Sequence, residues 1–299
     1  MGHYLYTPGC NFGKCCKPKS SATARGYVFG GSVSATANEE YETIGDSWAS
    51  KTAVPAPGRA SHTSTSLLAA DAHCIGDGGH TADNDAYTVA ADSWTSKTDL
   101  AYTLGGAAAE TLSGKIYTAG GFKNGAPAGL TRNTDEYAPA DSWTAKTDMP
   151  TPARAPGADA SAAISTGMYL FGAASPSSTT ATEEYIPDTW TTKTAMSSNR
   201  GPVSASTASD IAYVMGGIVS GTRQTTVESY VVDTWTAKTD MPGLGRNANS
   251  QWSIGSDVYI TGGYDGTSPM NDVDKYTPDT WASLGNLGST RWLGNGEAA

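Results

Sequence analysis

An all-β chain, built from six copies of one four-stranded antiparallel unit and closed into a ring, is the fold that this sequence predicts. The first observation is a recurring Asp-Ser/Thr-Trp. It appears six times, with Trp48, Trp94, Trp143, Trp190, Trp235 and Trp281 spaced 46, 49, 47, 45 and 46 residues apart. A period that regular marks one supersecondary unit repeated along the chain. The second is a bulky run, such as Gly114-Lys-Ile-Tyr-Thr-Ala-Gly-Gly121, that ends in paired glycines and reads as a strand closed by flexible backbone. The third is an absence: no segment sustains the 3.6-residue apolar period of a helix.

Taken in order, residues 1–24 lie outside the repeat and form an extension with turns at Pro8-Gly9, Gly13 and Pro18. Residues 25–299 form the repeated domain. The glycine doublets fall at Gly30-Gly31, Gly78-Gly79, Gly120-Gly121, Gly216-Gly217 and Gly262-Gly263, with Gly172-Ala173 in the fourth copy. A variable loop follows each, then a short segment with Tyr41, Tyr87, Tyr137, Tyr185, Tyr230 or Tyr276. An Asp-bearing turn leads on to the Trp strand, as in Tyr137-Ala-Pro-Ala-Asp-Ser-Trp143. Small residues precede each bulky run, as at Gly105-Gly-Ala-Ala-Ala109, and suit strands that converge on an axis. The units carry no caps of unusual composition, which favours a ring over an open stack and leaves only short, protected edges. The first copy lacks an innermost strand, and Arg291-Trp292-Leu293-Gly294 reads as one without a blade. The C-terminal segment, 290–296, is therefore expected to complete the blade begun by Arg25 to Trp48.

The bulk properties exclude several functions. A net charge of −10, from 29 acidic and 19 basic residues, argues against a nucleic-acid binder. No run of 18 apolar residues exists to form a membrane-spanning helix. Met1 to Lys19 has lysines but no apolar stretch before a cleavage site, so no signal peptide is read. The chain is then either mature as given or exported by another route, such as release inside a virion. Four cysteines, Cys10, Cys15, Cys16 and Cys74, do not make a disulfide framework.

The glycine doublet, then Tyr, then Trp five to seven residues on, then Met-Pro and Arg, resembles the kelch repeat across residues 25–299. The resemblance implies a six-bladed kelch β-propeller. Kelch propellers include copper-radical oxidases and sialic-acid mutarotases. The oxidase needs a site of paired His, Tyr and Cys. Four histidines, three of them in one copy, do not supply it.

Several residue sets invite a functional reading. Arg59, Arg154, Arg200, Arg246 and Arg291 recur at one place in the repeat, with Leu104 in the third copy. The kelch resemblance puts this position at the opening of the innermost strand. There, five guanidiniums around the channel mouth would bind a carboxylate, sulfate or phosphate. The structural alternative is that they bond loop carbonyls or pair with Asp and Glu of neighbouring copies. His62, His73, Cys74, Asp77 and His80 cluster in the second copy. However, matching Gly114–Gly121 sets His73 at Lys115, Cys74 at Ile116 and Asp77 at Ala119, with His73 and Cys74 on opposite faces of a strand. No metal or other cofactor is expected. Cys10, Cys15 and Cys16 in the extension suggest attachment or a cross-link to a partner chain, with a local disulfide or three free thiols as the alternatives. The repeated Tyr and Trp are core, whereas Trp252 and Trp292 fall outside the set.

Without a recruiting second domain, and with a surface rich in hydroxyls and poor in charge, the chain reads as a non-catalytic binding or structural propeller. The setting expected is an extracellular or virion surface: an adhesin, or a bacteriophage tail or capsid-fibre component, that contacts a glycan or protein on a host. The near-identity of WTAKTDMP at Trp143–Pro150 and Trp235–Pro242 fits a recently amplified module. The alternative is a mutarotase-like enzyme for a sugar acid, using an arginine pocket and an acid/base pair.

Overall fold

The computed structural model describes residues 24–67, 71–79, 81–123, 129–157 and 160–298. Six four-stranded antiparallel sheets stand around one axis. From the axis outward, blade 2 is Thr63–Leu67, Asp71–Ile75, Asn84–Thr88 and Ser93–Ser96. Blade 3 is Ala108–Leu112, Lys115–Ala119, Thr134–Ala138 and Ser142–Lys146, and blade 4 is Ser161–Ile164, Gly167–Phe171, Thr182–Ile186 and Thr189–Thr192. Blade 5 is Ser204–Ala208, Ile211–Met215, Val227–Val231 and Thr234–Lys238, and blade 6 is Ser250–Ile254, Asp257–Thr261, Val273–Thr277 and Thr280–Ser283. Blade 1 takes Arg25–Phe29, Asn38–Glu42 and Ser47–Ser50 from the start of the domain and Asn295–Ala298 from its end. Each innermost strand touches those of its two neighbours, so the ring is closed.

The closure is the one expected, shifted by a few residues. Gly26 pairs with Ala298 and Phe29 with Asn295, so the closing strand begins just after Arg291–Gly294. Those four residues form the loop that leads into it.

Sequence patterns follow burial. Second strands are covered on both faces and read as unbroken bulky runs such as Ile211-Ala-Tyr-Val-Met215. Outermost strands are exposed except at the half-buried Trp, as in Thr189–Thr192, and at Lys146 and Lys238 in blades 3 and 5. Six apolar clusters fill the six joints between neighbouring blades; one packs Phe171 of blade 4 against Val203, Val214 and Tyr230 of blade 5. Trp252 belongs to the joint of blades 6 and 1, stacked on Tyr259 and edge-on to Trp48. It is core.

The repeated Asp-Ser/Thr-Trp is a latch between blades. All six turn aspartates, Asp46, Asp92, Asp141, Asp188, Asp233 and Asp279, have φ between 43° and 68°, a left-handed conformation that Asp tolerates better than most residues. Five of the six also accept the phenol of the preceding Tyr, for example Tyr137 Oη at 2.8 Å from Asp141 Oδ1. The same carboxylates reach the previous blade: Thr98 N donates to Asp141 at 2.7 Å and Thr194 N to Asp233 at 2.7 Å. The Trp indole donates alongside, Trp143 Nε1 to Thr98 O at 2.8 Å and Trp235 Nε1 to Thr194 O at 2.8 Å. At the closing joint, Asp46 and Trp48 grip Gly285 instead of a threonine.

One part of the expected alignment needs correction. In blade 2 the second strand ends at Ile75, so Gly76-Asp77, not Gly78-Gly79, occupies the doublet position. Gly76 has φ 66°, as Gly120 has 68°. Asp77 N donates to Leu104 O at 2.8 Å, as Gly121 N donates to Arg154 O at 3.0 Å. His73 therefore matches Tyr117 and Cys74 matches Thr118; the shift arose because Gly78-Gly79 looked like the better doublet. The first glycine is demanded by the backbone of the next leading loop: a Cβ on Gly262 would lie 2.6 Å from Arg291 O.

Candidate binding site at the channel mouth

The five repeated arginines sit in the loops that lead into the innermost strands, and they are buried: Arg59 4% exposed, Arg154 3%, Arg200 0%, Arg246 1% and Arg291 1%. Each guanidinium turns outward along its own blade and pairs with a carboxylate of the third strand. The partners are Asp85, Glu183, Glu228, Asp274 and Glu39 respectively, with Arg200 and Glu228 2.5 Å apart. Arg200 also donates to Gly216 O at 3.2 Å and Thr226 O at 3.1 Å, and Arg59 to Gly76 O at 3.1 Å. Burial lowers the pKa of Arg200, with Glu228 opposing it. Meanwhile the arginine carbonyls are held by the blade before, Arg246 O by Gly217 N at 3.0 Å and Arg291 O by Gly263 N at 2.9 Å. Each clamp joins two blades.

Blade 3 departs. Leu104 replaces the arginine, yet the third-strand acid remains as Asp135, which accepts the phenol of Tyr102. Burial raises the Asp135 pKa, against the phenol hydrogen bond and the charge of Lys123. Lys123 Nζ lies 4.1 Å from the centre of the Tyr102 ring.

The mouth is lined by other residues. All six leading loops converge on a basin of about 350 Å³, floored and walled by Phe122, Ala155, Pro202, Ala248 and Leu293 with several glycines. Among the described residues that line it none is ionisable, and Asn249 and Ser61 supply the polar side chains. A second cavity of about 190 Å³ along the innermost strands is polar, lined by Ser161, Ser206, Thr207, Gln251, Ser253 and Glu110.

On the rim, three side chains from successive blades form a row. Arg223, in the loop of blade 5, lies over the Tyr264 ring at 5.2 Å, and Tyr264, in the loop of blade 6, packs on Trp292 at 5.1 Å. Trp292 immediately precedes Leu293 in the basin wall. Arg223 is half-buried and bonds neutral groups, Asn247 Oδ1 at 3.2 Å and Gly221 O at 3.4 Å. Among the described residues no carboxylate forms a salt bridge with it.

A family model described as the kelch motif matches residues 253–287, which span most of blade 6. That blade is one of six alike in strand order, latch and ring position. The chain is a six-bladed β-propeller that carries a kelch motif in its sixth blade. The solved structure of YjhT is similar in fold, with a TM-score of 0.72 and 16% identity over 87% of this chain and 94% of that one. None of the curated proteins compared with the chain matches it.

The remaining candidates of this propeller fall as follows. His62 is fully buried with neither ring nitrogen bonded, and burial, helped by the charge of Arg59, pushes it down to about 3. His73 Nδ1 meets Asn84 Oδ1 at 2.9 Å, and Cys74 is buried in the joint of blades 1 and 2. Asp77 accepts Ala60 N at 2.9 Å, which ties down a leading loop. Among the described residues no three His, Cys, Asp or Glu gather to hold a metal. His80 and the tail cysteines Cys10, Cys15 and Cys16 lie outside the described residues. The acid partners of the arginines went unread in the sequence, although the signal is there: in all six copies an acid stands two residues before the third-strand tyrosine. Arg223 carried no such signal, since it lies in a loop of variable length.

Proposed function

We propose that this kelch propeller is a non-catalytic binding protein whose mouth face recognises a carboxylate-bearing glycan on a partner surface. The observation that carries the reading is the Arg223–Tyr264–Trp292 row. An aromatic face takes the C–H side of a sugar ring, and a guanidinium held in no salt bridge among the described residues, with Asp265 close enough to feel its charge, takes a carboxylate in bidentate fashion. The five buried arginines, already paired, are the wall that holds this face in shape. The hydroxyl-rich, charge-poor composition supports display outside a cell or on a virion, as an adhesin or a bacteriophage tail or capsid-fibre component. Attachment through Cys10, Cys15 and Cys16 to a partner chain belongs to the same reading. A glycan array on the whole chain beside an Arg223→Ala/Trp292→Ala variant tests it. Binding confined to acidic glycans and lost in the variant is expected. Binding that survives moves the site elsewhere on the ring, and no glycan binding at all points to a protein partner.

A second reading, a mutarotase-like enzyme for a sugar acid, draws on blade 3. There Asp135, with its raised proton affinity, and Tyr102 stand beside Lys123, next to Phe122 of the basin. A carboxyl poised to exchange a proton near a cation is what anomer opening requires. Exchange of an acidic sugar's anomers above the solvent rate, lost in Asp135→Asn, would promote this reading over the first.

A further inference from the structure

The face opposite the mouth carries the hairpins that join third strands to fourth, and it is where the described chain begins. Second strands run toward the mouth and end at the doublets, so Arg25, first in its strand, lies at the far end of blade 1. Ala24 is held there, its carbonyl accepting Thr43 Oγ1 at 3.2 Å. Residues 1–23 therefore join the domain beside Ile44, which is 77% exposed in the hairpin of the same blade. Other tips of this face are apolar as well. Ile186 and Pro187 of blade 4, Val232 of blade 5 and Pro278 of blade 6 are exposed beside the latch aspartates.

Val232 breaks two rules at once. Its side chain is 88% exposed, and its backbone has φ 48°. That left-handed region is sterically poor for a β-branched residue, and among the described residues no other Val, Ile or Thr adopts it. With Asp233 at φ 58° it forms a two-residue hairpin turn that Asn or Gly would fill without strain. An apolar side chain kept in water on a strained backbone is accounted for by a contact that covers it.

We propose that the chain's own residues 1–23 cover this face, running from Ala24 past the tip of blade 6 to Val232 and Ile186. The chemistry is complementary. Lys14, Lys17 and Lys19, the part nearest the domain, come with no acidic residue, since all 29 of the chain's lie beyond residue 23. On their path stand Asp46 of blade 1 and Asp279 of blade 6, the latter 54% exposed. Tyr4, Leu5, Tyr6 and Phe12, farther out, supply apolar side chains for the tips of blades 5 and 4. The reach suffices. An extended chain covers up to about 3.3–3.6 Å per residue, so Phe12 can lie about 40 Å from Ala24 and Leu5 about 65 Å. Neighbouring sheets pack about 10 Å apart. The arrangement holds Cys10, Cys15 and Cys16 on the face away from the mouth and leaves the mouth turned outward. This proposal does not depend on the rim row or on glycan recognition.

Limited trypsin digestion of the whole chain under reducing conditions, read by mass spectrometry at Lys14 and Lys19, tests it. Both bonds are expected to be cut slowly in the unaltered chain, at a rate independent of protein concentration. Val232→Asn should speed their cleavage roughly tenfold, through loss of one buried valine contact. The variant should also unfold at the same or a higher temperature, because Asn suits the left-handed turn. That pairing separates loss of docking from loss of fold. Salt at about 1 M should speed cleavage too, by screening the lysines. Cleavage at an unchanged rate in Val232→Asn would overturn the proposal, as would bonds cut in the unaltered chain as fast as in a free peptide of residues 1–23. So would protection that grows with protein concentration, which would assign the cover to the extension of a second copy.

Discussion

Blades 3 and 5 hold equivalent third-strand acids in different ways. Glu228 of blade 5 faces the guanidinium of Arg200, which also caps two carbonyls, so a buried negative charge meets a buried positive one. Asp135 of blade 3 is hydrogen-bonded to a phenol, with only the more distant charge of Lys123 beside it, because Leu104 stands where the arginine would be. The acid is common to all six copies and the cation is not. A carboxylate at that depth needs a donor, and a neutral donor suffices. The difference lies in charge: blade 5 is balanced whatever the solvent, whereas blade 3 can relieve itself by taking up a proton.

The largest effect should come from breaking the balanced side. Arg200→Ala strands Glu228, 2% exposed, without a counter-charge and should cost about 3–5 kcal/mol, read from the midpoint of denaturant unfolding. Tyr102→Phe, the matching cut in blade 3, should cost only about 1–3 kcal/mol at neutral pH, since Asp135 has protonation open to it. Equal losses would mean that the cation is unimportant. Next in size is the outer latch, which the two blades share. Trp143→Phe and Trp235→Phe each remove one indole hydrogen bond to a threonine carbonyl and should cost the same, about 0.5–1.5 kcal/mol. A marked inequality would show that the blade 3 departure reaches the rim of the sheet.

Acidity separates the two carboxylate populations with the smallest signal. Asp135 is raised in the folded chain, chiefly by burial, so its contribution is complete below the ordinary Asp range and declines as pH rises through its folded value. Asp135→Asn should flatten that decline. The latch aspartates Asp92, Asp141, Asp233 and Asp279 are lowered, first by the backbone N–H of a threonine in the preceding blade. Their contribution is present above the ordinary Asp value and disappears as pH falls through the folded one. Unfolding midpoints across pH 2–7 (about the range in which carboxylates titrate) should fall at the acid end, and Asp233→Asn should lessen the fall.

The sequence carried the ring because its signals are local and repeated. Trp143 and Asp141 recur at fixed distance since each copy must meet the same neighbour, and a bulky strand before a glycine is required wherever a leading loop presses on the sheet. The arginines were placed correctly in the chain but not in space. Sequence spacing sets where a backbone lies, while the direction of a long side chain depends on a partner 26–29 residues on in four blades and, for Arg291, 252 residues earlier. The second doublet was misread because Gly78-Gly79 imitates the motif two residues late. The rim row was hidden for a different reason: Arg223, Tyr264 and Trp292 come from three loops with no shared pattern, and only closure of the ring brings them together.

The closing strand has a consequence for how the chain is made. Blade 1 cannot be completed until Asn295–Ala298 has been synthesised, about 270 residues after its partner Arg25–Phe29. At roughly 5–20 residues per second that is a wait of about 15–55 s. Throughout it, the inner edge of Tyr27-Val28-Phe29 offers unpaired amides and carbonyls on a strand with strong β character. Five blades can assemble in order behind the ribosome, but the first must stay open until the last. The interval between those two events is when one nascent chain is most exposed to pairing with another.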